Sequence, residues 1–173
     1  MKVSGTTIKM FIMAVLAFAL LSSGCGVYSF TGASIPPEAK TISVRFIENK
    51  ADLVEPSLSQ SFTEALRDRF TTETTLYLVD ADGDLQIEGE IRGYEVEPVA
   101  IQGDETAALN RLSINVFIKF VNTFDDQMNF ESSFTRFEDY QSNQDISQVK
   151  DALIAAINEQ LVDDIFNKAV VNW

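Results

Sequence analysis

Val149, Leu153, Ile157, Leu161 and Ile165 recur every four residues near the end of the chain, and this stripe constrains the fold most. Apolar side chains at that spacing share one face of an α-helix, and such a helix is stable only when that face packs against another apolar surface. Ala152, Ala156 and Ala169 flank the stripe, while Ile154, Val162, Phe166 and Val170 widen it enough to cover much of a sheet. Asp145 or Ser147 suits the N-cap, and Lys168 suits the negative end of the helix dipole. A second stripe, Leu58, Phe62, Leu66 and Phe70 with Ala65 beside it, follows Glu55-Pro56, where proline fits a first helical turn. Arg67 and Arg69, the closest basic pair on that helix, are expected on its solvated side.

Elsewhere the apolar period falls to two, the period of a strand. Ile42, Val44 and Phe46 are expected on one face, with Ser43, Arg45 and Ile47 on the other; Leu76 to Val79 is a short apolar strand. Leu85, Ile87, Gly89, Ile91 and Gly93 alternate with Gln86, Glu88, Glu90, Arg92 and Tyr94. The two glycines predict a bend, a bulge or the close approach of another backbone, with a helix of the same domain as one candidate. Pro98 predicts a strand end or an edge, and residues 102–107 a polar loop. Leu112, Ile114, Val116, Ile118 and Phe120 oppose Arg111, Ser113, Asn115, Phe117, Lys119 and Val121. In the aromatic run from Met128 to Tyr140, Phe130 and Phe134 share a face and Phe137 takes the other, as in a sheet core. Strand, helix, several strands, helix predicts an α+β fold: two helices packed on one face of a roughly four-stranded, mainly antiparallel sheet. The opposite face, carrying Phe117, Val121 and Phe137, would be uncovered and is the expected docking surface.

The N-terminal part is built differently. Lys2 and Lys9 precede an uncharged apolar run from Met10 to Leu21, well short of the ~20 residues that span a bilayer as a helix. Ser22-Ser23-Gly24-Cys25-Gly26 then has the character of a lipoprotein processing site, with small residues before the chain's only cysteine. The expected organisation is a signal peptide over residues 1–24, removed on processing, a lipidated tether over 25–40 and a single α+β domain over 41–173. The thiol of Cys25 would carry diacylglycerol, and stable anchoring by more than one acyl chain suits that site. The whole chain has 13 Lys+Arg against 26 Asp+Glu; removing Lys2 and Lys9 leaves 11 against 26, a balance of −15. Such charge argues against nucleic acid, whose phosphates need basic contacts, and against a polybasic grip on anionic lipid. There is no histidine, so the commonest general base and zinc ligand are missing and neither an enzyme nor a cofactor is expected. Asp80-Ala81-Asp82-Gly83-Asp84 invites a calcium reading, but its glycine does not follow the third aspartate and no glutamate stands at the twelfth position; a tight turn is favoured.

Gly24-Cys25-Gly26-Val27-Tyr28-Ser29-Phe30, followed by Ile35-Pro36-Pro37-Glu38-Ala39-Lys40-Thr41-Ile42-Ser43-Val44, resembles the lipopolysaccharide-assembly lipoproteins of the LptE family, in a Bacteroidetes-type version. The resemblance implies a lipoprotein on the periplasmic side of the outer membrane that partners a β-barrel translocon of the LptD type in lipopolysaccharide transport. Some members also bind lipopolysaccharide through basic residues. The 11 Lys+Arg here are scattered along the sequence, which leaves direct contact with lipopolysaccharide open. The alternative is a lipid-anchored module for another envelope ligand such as peptidoglycan.

Overall fold

The computed structural model describes residues 35–99 and 108–170; Cys25, the leader, most of the tether, the 102–107 loop and Trp173 lie outside the described residues. The element order is β1 (Thr41–Val44), β2 (Glu48–Asn49), α1 (Leu58–Glu73), β3 (Tyr77–Val79), β4 (Leu85–Val99), β5 (Leu109–Asn122), β6 (Phe130–Gln141) and α2 (Ile146–Val170). The sheet runs β3-β1-β4-β5-β6, with β2 pairing β4 beside β1. Both helices pack together and lie on one sheet face, α1 over β1–β3 and α2 over β5 and β6. The expected α+β class is therefore present. The long strands β4, β5 and β6 are antiparallel, and the short strands β1, β2 and β3 add parallel pairings at one edge. Parallel neighbours need a crossover, and α1 supplies it between β1 and β3.

Leu58, Phe62, Leu66 and Phe70 are fully buried, which is the stripe expected of α1. Each such side chain contributes roughly 1.5–3 kcal/mol through burial. On α2 the buried face is Ile154, Ile157, Leu161, Val162, Ile165 and Phe166, while Val149 and Leu153 at the start of the expected stripe are half-buried. Asp145 Oδ1 accepts from the Ser147 backbone N–H at 2.9 Å, as its capping role requires. Beneath the helices, Ile42, Val44, Leu85, Ile87, Ile91, Leu112, Ile114, Val116, Ile118 and Phe120 close the core.

One strand expectation and one helix expectation are corrected. The alternation through Phe46 and Ile47 fails: Ile47 is fully buried and Phe46 is 55% exposed. The ladder breaks after Val44, and the Ile47 N–H donates to Thr63 Oγ1 on α1 at 3.0 Å. That bond turns Ile47 inward and Phe46 outward. Arg67 is drawn into the same break, its Nη2 donating to the Val44 carbonyl at 2.8 Å, so it is partly buried rather than a solvated surface residue. Gly89 does meet another backbone, but that of a strand: a Cβ there would lie 2.2 Å from the Phe117 carbonyl oxygen. The expected bulge falls between Ile91 and Gly93.

The Asp80–Asp84 segment bends the chain without the hydrogen bond of a tight turn, with Asp82 at φ 53°. The strands it joins, β3 and β4, are not neighbours, because β1 lies between them. Asp84 Oδ2 accepts from Lys40 N (2.8 Å), Thr41 N (2.9 Å) and Thr41 Oγ1 (2.9 Å), pinning the start of β1. The Lys40 backbone bond, followed by the Thr41 bonds, holds the Asp84 carboxyl below its ordinary value. A depressed carboxyl contributes stability above its unfolded pKa and loses that stability as pH falls through the folded one. Asp84→Asn should therefore unfold more readily than the parent at neutral pH, with the two stability curves converging as pH drops below about 4. Denaturant titrations across that range check this; a gap constant with pH would sink the idea.

Candidate docking surface

The face of the sheet away from the helices is built by the second half of each strand's alternation. The register sets Glu90 beside Phe117 and Phe117 beside Ser133, then Glu95 beside Ser113 and Ser113 beside Phe137. Cross-strand partners share a face, so these rows stand on the uncovered side. Phe117, Val121 and Phe137, expected here from the sequence, do occupy it; Phe117 and Val121 are half-buried and Phe137 is 46% exposed. Phe130 and Phe134 take the opposite side and pack on the core.

Each of the two aromatic rings carries an arginine. The Arg92 guanidinium stands 3.8 Å over the Phe117 ring centroid, and that of Arg111 stands 3.6 Å over Phe137. Such contacts are worth roughly 0.5–1 kcal/mol at exposed sites. Arg92 also pairs with Glu90 at 2.7 Å, and Arg111 forks onto both oxygens of Asp139 at 2.7 and 2.9 Å. The Arg111 hydrogen bonds hold the Asp139 carboxyl below the usual carboxylate range, against the opposing effect of its slight burial.

A concavity of about 360 Å³ opens on the same face, with Phe46, Phe117, Arg45, Lys50 and Lys119 among its walls. Three cations that are scattered in the sequence are thus gathered here, because Arg45 just after β1, Lys50 just after β2 and Lys119 on β5 all lie alongside β4. Carboxylates accompany them: Arg45 with Glu88 at 3.0 Å, Lys50 with Glu48, and Lys119 with Glu131 at 3.9 Å. The surface is aromatic and charge-paired, suited to a polar partner more than to bare hydrocarbon. Among the described residues no group of three or more His, Cys, Asp or Glu is placed to hold a metal. Cys25, the one site residue named from the sequence, lies outside the described residues. The paired-cation face had a partial sequence signal in the Arg111-to-Lys119 alternation, but strand order was needed to bring Arg45 and Lys50 to it.

Among solved structures, the chain is similar in fold to a neuraminyllactose-binding hemagglutinin homolog from Helicobacter pylori, at 11% identity over 82% of this chain and 88% of that one, with TM-score 0.51. A minor lipoprotein from Acinetobacter baumannii matches at 12% identity over 75% and 91%, with TM-score 0.45. The rare lipoprotein B from Shewanella oneidensis matches at 11% identity over 73% and 89%, with TM-score 0.43. No curated protein matches. The family model described as LptE, lipopolysaccharide-assembly, matches residues 39–169, from the lead-in to β1 to nearly the end of α2. The chain belongs to the LptE lipopolysaccharide-assembly family.

Proposed function

We propose that this protein is a lipoprotein held by acylated Cys25 on the periplasmic side of the outer membrane, where it partners a β-barrel translocon of the LptD type in moving lipopolysaccharide to the cell surface. Family membership supports the pathway, and the uncovered sheet face supports a structural partnership. Outer-membrane barrels have polar interiors. A protein lodged in one must present charge and hydrogen-bonding groups outward, as the Arg92–Phe117 and Arg111–Phe137–Asp139 rows do. No helix among the described residues is long and apolar enough to cross a membrane, so in this reading attachment falls to the acyl chains. The role is one of binding and assembly, with no catalytic step assigned.

The anchor is tested by the intact mass of the tagged full-length protein purified from outer membranes. Its mass should exceed that of Cys25–Trp173 plus the tag by a diacylglycerol and, in the fully processed form, a third acyl chain. An unmodified Cys25, or residues 1–24 still attached, would remove the anchoring part of the proposal.

A further inference from the structure

On the far side of the helix layer from the sheet, α1 and α2 leave a groove between them that the docking face does not use. Its volume is about 460 Å³, within the roughly 300–1,000 Å³ of ligand sites. Ala65, Ala155 and Val162 give it an apolar lining. Asp68, Glu73, Glu159 and Asp163 also line it, four carboxylates against the single cation Arg69. Arg69 is already engaged, with Nη2 3.2 Å from Asp163 and Nη1 3.8 Å from Glu73.

Two polar groups of the groove are incompletely used. Asn158 is 4% exposed; its Nδ2 donates to Ser61 Oγ at 3.2 Å, and its Oδ1 has no partner among the described residues. Arg69 Nε is likewise buried without a partner among them. A buried polar atom without a partner costs roughly 1–3 kcal/mol. The last torsion of an asparagine side chain is soft, so turning its amide toward an occupant costs chiefly the hydrogen bond to Ser61.

We propose that this groove binds a basic, extended segment of a protein partner. The segment's Lys or Arg side chains meet the carboxylates, a backbone N–H donates to Asn158 Oδ1, and a backbone carbonyl accepts from Arg69 Nε. Peptide backbone supplies that donor and acceptor together, and the excess of three negative charges selects a cationic sequence. The proposal holds whichever protein carries the segment and does not depend on the barrel partnership.

The test uses the full-length chain in detergent solution and fluorescein-labelled Gly-Lys-Ser-Arg-Gly with blocked ends, read by anisotropy. Saturable one-site binding is expected, with none for Gly-Glu-Ser-Asp-Gly. Ala155 and Thr72 are exposed groove residues, so Ala155→Trp and Thr72→Trp fill the groove without changing charge. Whichever of them keeps the parent's thermal unfolding should bind the basic peptide at least about tenfold more weakly. Failure of the basic peptide to bind would overturn the proposal. So would a folded, filled variant that binds like the parent, because attraction to the general −13 charge of the chain would then account for the binding.

Discussion

Gly89→Ala is expected to destabilise the domain by about 3 kcal/mol, a large share of the 5–15 kcal/mol that holds a typical domain together. In an unstrained position the same change would stabilise by roughly 0.4–1 kcal/mol, because alanine restricts the unfolded chain. Here the added Cβ meets the Phe117 carbonyl oxygen at 2.2 Å and Ile118 Cδ1 at 2.9 Å. The first is backbone of the paired strand β5, so relief requires β4 and β5 to part at the centre of the sheet. Gly93 is the internal control: its Cβ would meet the Asn115 side chain at 3.2 Å and backbone only at 3.8 Å, so Gly93→Ala should cost much less. Urea midpoints of the two variants decide the matter. A Gly89→Ala protein as stable as the parent would contradict the close approach of the two strands.

Phe70→Ala is expected to cost about 3–5 kcal/mol, the range for truncating a buried phenylalanine. Its ring is fully buried and meets Phe166 of α2 edge-on, with centroids 5.1 Å apart. Removing it leaves a void where α1, α2 and the sheet converge, and neither helix can close that void without losing other contacts. Phe137→Ala on the uncovered face, which loses the Arg111 contact and about half of a phenylalanine's burial, should cost less, about 1–2 kcal/mol. Equal losses for the two would mean that the helices do not lie on the sheet face assigned to them.

The long, regular stretches of the fold were legible in the sequence because each kept one period throughout. The α1 stripe, the β5 alternation and the opposition of Phe130 and Phe134 to Phe137 all depend on local spacing alone. The short parallel edge was harder to read. β1 is four residues long and β2 two, and their break is made by Thr63 and Arg67, which are distant in sequence and capture the Ile47 N–H and the Val44 carbonyl. No periodicity within residues 41–49 encodes those bonds. The cation cluster around Phe117 was hidden for a related reason: Arg45, Lys50, Arg92 and Lys119 come from four separate stretches, and only the strand order β1-β4-β5 aligns them. Asn158, one residue after Ile157 of the α2 stripe, gave no signal of its own, since burial with one unused oxygen shows only when α1 is in place.

The partnership is tested most directly by isolating the tagged full-length protein, at native expression, from outer membranes in mild detergent. A large β-barrel protein of the LptD type should elute with it in near-equal amount and stay with it through a second column. Elution of the protein alone would contradict the partnership, and would favour a lipid-anchored module that binds another envelope ligand such as peptidoglycan.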